Sequence, residues 1–314
     1  MLLNIEGQEE EDSCFMKLFK SEVEMEIIRK SKEEPVLKRK RYGEIEYLTF
    51  PKLENTGIVT HLMSTRIGGV SKGIYATMNY SYKRGDNPAC VDENFRRTAE
   101  IFGTDMSAFV CSEQTHTTNV RVVTAADRGK GVTVTKDYNH VDGLVTNEPG
   151  LILTTTYADC VPLFFVDPVK RAIGCSHSGW RGTVAQMGKV TVETMQRAYG
   201  CNPADIVAAI GPSICQDCYE VSDDVAEAFR TLFSQEKYAF VRIEDVLFDK
   251  HNGKYQLNLW KANEAVLLSA GIRPENLDVT DICTCCNPDY LFSHRASQGK
   301  RGNLAAFIML NAQN

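Results

Sequence analysis

Three residues far apart in the chain carry the side chains best suited to joint chemistry: His116, Cys160 and His177. Cys160 ends the apolar run LILTTTYADC and is followed at once by VPLFFVDP. His177 closes the strand-like start of RAIGCSHSGWRGT, which turns through Gly179 and Gly182. Both residues thus fall at strand ends on either side of a short return, where a rigid scaffold lets side chains converge. His116 lies in CSEQTHTTNVRVV, after a polar turn and before a strand. Two histidines and a cysteine are a three-ligand set for a catalytic zinc, with the fourth position left to water or substrate. Such an ion turns water into a nucleophile near neutral pH. The same residues also suit a metal-free thiolate–imidazole pair, or a turn-capping histidine beside a small buried cysteine. Separations of 44 and 17 residues match no local metal motif, so all three readings stand at this point.

Two glycine-rich turns carry an arginine each. Gly179-Trp180-Arg181-Gly182-Thr183 opens a helix, and Thr65-Arg66-Ile67-Gly68-Gly69-Val70-Ser71 follows a strand. Either suits an anion, although neither is a P-loop or a dinucleotide fingerprint, and an ordinary tight turn explains each equally well. Near the C-terminus, Cys283-Thr284-Cys285-Cys286 resembles half of a metal knuckle, and Cys215-Gln216-Asp217-Cys218 is a CxxC that could supply the other half. A four-cysteine site needs the two to meet in space, and the second CxxC is blurred by the extra Cys285.

The elements that must position these groups are short strands mixed with helices. Strand-like runs fall at 45–50, 58–64, 119–124, 143–146, 151–157, 163–166, 172–176, 206–210, 255–259 and 305–310, several of them β-branched and bounded by Gly, Pro, Asn or Asp. Helical periodicity marks 92–102, 184–199, 223–233 and 259–270. Regular βαβα alternation is missing, which points to one α+β domain. Residues 1–43 read as a charged extension, with ten acidic and five basic residues up to Glu34 and the run Lys38-Arg39-Lys40-Arg41 as surface. A helix is possible over Phe15 to Arg29. The catalytic domain is expected over 44–314.

Composition excludes several classes. The 314 residues are 43% hydrophobic and 24% charged, with a net charge of −6. A nucleic-acid protein would show a basic domain or stripe, so no nucleic-acid partner is expected. Apolar runs reach about six residues, far short of the ~20 of a membrane helix. The start MLLNIEGQEEEDS has neither a basic nor a long apolar region, so no secretory signal is expected. Eleven cysteines, an odd number in a chain that needs no staples, suit a reduced, cytoplasmic protein.

STRIGGVSKGIY, SEQTH, ADCVPLFFVDP, HSGWRGT, GPSICQDCYEV and CTCCNPDYLFSHRASQGKRGNLAAFI, in this order over roughly Glu44 to Leu310, resemble the YfiH family. Its members were first called laccase-domain or polyphenol-oxidase-like proteins and later purine nucleoside phosphorylases. The resemblance implies a compact α+β fold with two mixed sheets packed between helices, in four layers α/β/β/α. It implies a zinc held by His116, Cys160 and His177. It also implies phosphorolysis of adenosine, inosine and 5′-methylthioadenosine, deamination of adenosine, and in bacteria a role in editing peptidoglycan precursors. On this reading Arg66, Arg181 and Arg295 are expected to hold phosphate or substrate. Asp159, beside Cys160, is expected to carry a proton or to orient a ligand, although a buried turn aspartate fits equally. The chain departs from the family pattern at Met78-Asn79-Tyr80-Ser81 and Gly85-Asp86-Asn87, so the neighbouring loop is expected to meet substrate differently.

Counting settles one rival. A multicopper oxidase needs about ten histidines for its copper centres, and this chain has six. Adventitious copper at the His/Cys/His group, with weak phenol oxidation, stays compatible because copper(II) outcompetes zinc for such ligands. The HxE…PCxxC signature of zinc deaminases is also missing, since Ser178-Gly179 follows His177. Two rivals remain: a metal-free Cys160/His177 amide hydrolase acting on a peptidoglycan precursor, and a non-enzymatic binding protein that works through the charged extension 1–43.

Overall fold

The computed structural model describes residues 25–313. Two six-stranded sheets lie face to face. The first holds β1 (Lys38–Tyr42), β2 (Ile45–Thr49), β3 (Val59–Ser64), β4 (Phe109–Cys111), β7 (Ile152–Tyr157) and β15 (Leu304–Leu310), ordered β1-β2-β3-β15-β7-β4. The second holds β5 (Val120–Val122), β6 (Gly143–Thr146), β8 (Val161–Asp167), β9 (Ala172–Ser178), β10 (Val207–Ile210) and β14 (Leu277–Val279), ordered β14-β10-β8-β9-β6-β5. Both sheets are mixed: β4/β7, β5/β6 and β10/β14 run parallel, the other pairs antiparallel. A small third sheet joins β11 (Glu220–Ser222), β12 (Leu247–Asp249) and β13 (Lys254–Leu257).

Strand periodicity of two explains the layers. In β8, Phe164 and Val166 face the first sheet, while Val161, Leu163 and Phe165 face helices. A strand covered on both sides reads as an unbroken apolar run, as VPLFFV does. In β15, Leu304, Ala306 and Ile308 fill the space between the sheets, and Ala305 and Phe307 point to the other side. There α1 (Pro88–Ile101) packs with Val91, Phe95 and Ala99. It starts where Asn87 accepts the Ala89 N–H and Pro88 pre-sets the first turn. On the far face of the second sheet lie α2 (Trp180–Val184), α3 (Met187–Tyr199), α4 (Asp223–Phe233) and α5 (Leu259–Ser269). The expected four-layer α+β architecture is therefore the observed one.

The single helix expected at 184–199 is broken at Gln186, whose φ is 62°. The Gln186 side-chain oxygen accepts hydrogen bonds from Lys237 Nζ and the Tyr238 hydroxyl, which holds the break open. The helix expected over Phe15 to Arg29 falls mostly outside the described residues, and residues 25–29 are not helical. The segment that follows is packed on the domain. Ile28 N–H donates to Asn287 Oδ1, Leu37 is buried, and the basic run forms edge strand β1, with Arg39 and Arg41 paired to Glu46. Charge on an edge strand discourages pairing with other chains. Among the described residues no helix is long and apolar enough to cross a membrane.

Phe307 is fully buried, with its ring 5.0 Å from Tyr80 and 5.6 Å from Phe109 between centroids. Truncating it leaves a cavity that the sheet and helix cannot close. Phe307→Ala is expected to cost about 3–5 kcal/mol of unfolding free energy. A chemical denaturation series giving less than about 1 kcal/mol would contradict this packing.

Candidate metal centre and its cleft

Strand register brings the three residues together. β8 and β9 form an antiparallel hairpin pairing Val161 with Ser178 and Pro162 with His177, so Cys160, one residue before β8, lies opposite Gly179. β9 pairs on its other side with β6, Gly143 opposite Ser176. That places Asp142, one residue before β6, against His177, whose N–H donates to the Asp142 carbonyl at 2.8 Å. His116 arrives on the loop between β4 and β5. Its backbone is left-handed, φ 64°, a conformation that a non-glycine residue keeps only when its surroundings fix it. The metal-capable atoms of His116, Cys160 and His177 all lie within 4.8 Å of one another.

Asp142 is the fixing residue. Its fully buried carboxylate accepts the main-chain N–H groups of Thr115, His116 and Thr117, each at 3.0 Å, and the Thr117 hydroxyl. It also lies 2.9 Å from His177 Nδ1. One side chain therefore holds both the loop of the first histidine and the ring of the second. With Nδ1–H donated to Asp142, His177 turns Nε2 toward Cys160 and His116, the arrangement that a metal-binding histidine uses. Burial alone would raise the Asp142 pKa, but the bonds from His177, Thr115 and Thr117 overcome it and bring it to about 2.

The thiol and imidazole shape one another. Burial pushes the Cys160 thiol up, and the His177 and His116 imidazoles outweigh it and bring it down to about 6. Burial disfavours a charged His177, yet the Cys160 sulfur and the Asp142 carboxylate raise it to about 9. A soft thiolate and two imidazoles, one of them oriented by Asp142, are a donor set that fits zinc or copper.

Gly179 permits the gathering. A Cβ there would stand 3.0 Å from Cys160 Sγ and 3.0 Å from His116 Cδ2. Gly179→Ala is expected to push the two ligands apart and to weaken metal affinity about 10-fold or more, the scale of lost ligand support. Competition against a chromophoric chelator measures it, and an unchanged affinity would show that the ligands relax without cost.

The trio opens on a cleft of about 390 Å³, of the size that takes a small ligand. Tyr80, Tyr82 and Phe95 give it an aromatic wall, and Lys83, Arg84, Lys136 and Arg301 give it positive charge. Glu113 is paired with both lysines. Arg301 is buried, hydrogen-bonded to the Gly302 carbonyl and Asn303, with its Nε unpartnered. Burial, and then the like charge of Arg84, lower its pKa to about 10.

The other expected residues do not line this cleft. The Arg66 guanidinium donates to the carbonyls of Ala76 and Pro288 and covers the Phe292 ring. Arg181 lies over the neighbouring Trp180 ring. Arg295 donates to the carbonyls of Cys218 and Glu220. Asp159 has both carboxylate oxygens engaged, one by the Thr284 hydroxyl at 2.6 Å and the other by the Arg295 N–H at 2.7 Å. Asp142, Arg84 and Arg301 escaped the reading from sequence. Asp142 had a faint signal, a carboxylate immediately before a strand, and Arg301 lay within the last of the six sequence blocks.

Comparisons with known proteins give the family of the chain. Residues 60–311 match the family model described as multi-copper polyphenol oxidoreductase laccase. The chain is 39% identical over 249 residues to the Bacillus subtilis protein named purine nucleoside phosphorylase YlmD, covering 78% of this chain and 86% of that one. It is 34% identical over 254 residues to adenosine deaminase RL5 of an unknown prokaryotic organism, covering 80% and 93%. Among solved structures, the Bacillus licheniformis hypothetical protein YfiH superposes with a TM-score of 0.80 at 33% identity, over 87% of this chain and 99% of that one.

Proposed function

Because the chain belongs to the laccase-like polyphenol oxidoreductase family that includes YfiH and YlmD, and holds a His116–Cys160–His177 group in a basic, aromatic-walled cleft, we propose that it is a zinc-dependent purine nucleoside enzyme. It splits adenosine, inosine and 5′-methylthioadenosine with phosphate, and it deaminates adenosine to inosine. The observation that carries this reading is the single cleft that joins a metal-capable trio to two neighbouring arginines. When bound, the ion supplies Lewis acidity at the reacting purine or water.

The protein's own groups do the rest. Asp142 keeps the proton on His177 Nδ1, and Cys160 presents a thiolate near neutral pH. Arg84 and Arg301 hold the phosphate, whose charge relieves the repulsion between two close guanidinium groups. Tyr82, backed by the buried rings of Phe95 and Tyr80, offers an apolar face to the base and excludes water from it. In phosphorolysis a phosphate oxygen bonds to C1′ as the C1′–N9 bond breaks, the base leaves with the electron pair, and the proton of the hydrogen phosphate passes to the base. In deamination a water oxygen bonds to C6 as the C6–N6 bond breaks, one water proton leaving with the amino group as ammonia and the other passing to N1, with no phosphate taking part. Asp159 serves as a positioning residue, tying the Cys160 turn to the C-terminal segment.

Chromatography of adenosine incubated with zinc-loaded protein, with and without phosphate, tests the reading. Adenine should appear only with phosphate, and inosine with or without it. Arg301→Gln should lower adenine release about 10- to 100-fold, the worth of one charge-assisted contact, and leave inosine formation in place. Equal losses of both would remove the phosphate role, and no conversion by the parent protein would remove the purine reading.

A second reading rests on one specific feature. Cys160, His177 and Asp142 are arrayed as nucleophile, base and orienting acid, which suits an amide hydrolase acting on a peptidoglycan precursor. Such an enzyme keeps its activity under chelation and loses it on alkylation. The metal enzyme loses it under chelation.

A further inference from the structure

A second cluster of metal-capable side chains lies apart from the cleft. The sulfur atoms of Cys215, Cys218, Cys283 and Cys286 all lie within 4.8 Å of one another. They come from two CxxC arms that the fold lays side by side. Ser213 bridges Cys283 in parallel fashion, and the Thr284 N–H donates to the Ser213 carbonyl at 3.1 Å. In the first arm the Cys218 N–H closes a tight turn on the Cys215 carbonyl at 3.2 Å. The Cys215 N–H reaches across to Cys283 Sγ at 3.2 Å, a donor aimed at sulfur that favours its thiolate.

The sulfur spacing fits a single four-coordinate ion. Cys218 Sγ and Cys286 Sγ are 3.5 Å apart, well beyond the ~2.05 Å of a disulfide. Four thiolates around one zinc at ~2.3 Å stand about 3.8 Å from one another. A polynuclear iron–sulfur cluster interposes an inorganic core and spreads its ligands wider. Four thiolates and one divalent ion leave net negative charge, and the Lys30 ammonium, hydrogen-bonded at 2.9 Å to Asp217 between Cys215 and Cys218, stands beside them. We propose that Cys215, Cys218, Cys283 and Cys286 bind one structural zinc ion, separate from the His116–Cys160–His177 group. Cys285 lies outside the ligand set. With all four positions filled by protein the ion has no open face for substrate.

Its role is to strap two segments that meet at the active-site turn. The Ile214 N–H donates to the Asp159 carbonyl, and Thr284, next to ligand Cys283, donates to the Asp159 carboxylate. Arg295 clamps the carbonyl of ligand residue Cys218. The ion thus anchors both arms around the residue that precedes Cys160.

The proposal does not depend on the activity assigned above, and its test is made independent of it. Native mass spectrometry of Cys160→Ala, dialysed after zinc loading, should show one zinc per chain. Adding Cys218→Ser should remove it, and adding Cys285→Ser should leave it. A zinc-free Cys160→Ala protein, retention of zinc after Cys218→Ser, or loss of zinc after Cys285→Ser would each overturn the assignment. Should the Cys218→Ser chain fail to fold, cobalt replaces zinc in Cys160→Ala. Intense thiolate-to-cobalt absorption with tetrahedral ligand-field bands is then expected, and its absence would overturn the site. Intact-mass measurement of the denatured parent chain should show every cysteine alkylated. A two-dalton deficit from a disulfide within the cluster would also overturn it.

Discussion

Cys160→Ala is expected to lower adenosine turnover by about a thousandfold and to strip the ion from the cleft. Of the three donors, only the Cys160 thiolate brings negative charge, and its pKa of about 6 keeps it ionised at neutral pH. Two imidazoles alone make a much weaker, more exchangeable site for zinc. The Lewis acidity of a bound metal is worth several kcal/mol of transition-state stabilisation. At ~1.4 kcal/mol per tenfold, about 4 kcal/mol corresponds to the stated loss. The substitution removes one sulfur from a partly open position, so the fold should persist. Steady-state rates paired with metal content measure both halves of the prediction. Turnover within about threefold of the parent, in protein shown to lack the cleft ion, would sink the metal mechanism.

Asp142→Ala is expected to have the second-largest effect, and to act on stability and metal affinity together. The carboxylate is buried and accepts from three main-chain N–H groups, a hydroxyl and His177 Nδ1. Removing one partner from a buried charged pair costs about 3–5 kcal/mol. Thr115 and His116 are exposed, so water takes over part of the bonding, and about 3 kcal/mol is the expected loss. Metal affinity should fall about 10- to 100-fold, as for other residues that orient a ligand. The pH dependence has a definite sign. The folded carboxyl, at about 2, lies below its ordinary value of 3.8, so its stabilisation is present above that value and disappears as the pH falls toward 2. Acid unfolding of the parent should therefore include a step between about pH 4 and pH 2 that Asp142→Ala lacks. Equal acid sensitivity of both proteins would remove Asp142 from this role. Asp142→Asn perturbs ring and loop together, because Oδ1 accepts from both His177 Nδ1 and the His116 N–H: an amide nitrogen placed there opposes the loop N–H and favours the His177 proton on Nε2, where it blocks a metal.

Much of the scaffold was legible in the sequence because it is written in local periodicity. β8 alternates its faces residue by residue, and the later part of α1 and the whole of α4 and α5 lie where helical spacing placed them. The strands that escaped were β1, β4, β14 and two of the small third sheet, all short, and β1, β4 and β14 lie at sheet edges. Edge strands pair with a neighbouring strand on one side only, and β1 is a basic run whose paired, extended form depends on β2 and Glu46.

The site divides along the same line. Side-chain chemistry is a property of residue type, so the sequence alone singled out His116, Cys160 and His177 as candidate donors, with a metal-free reading still open, and excluded a four-copper centre by the count of six histidines. It also marked two cysteine arms without deciding whether they meet. Convergence is a property of sheet order and register. Pairing β9 between β8 and β6 sets Cys160 opposite Gly179 and Asp142 against His177, and no spacing along the chain encodes which strands become neighbours. The same long-range pairing turned Arg66 and Arg295 onto main-chain carbonyls, delivered Arg84 and Arg301 to the cleft, and brought Cys215, Cys218, Cys283 and Cys286 into one cluster. Charge and donor type are carried by single residues; distance is set only when the sheets close.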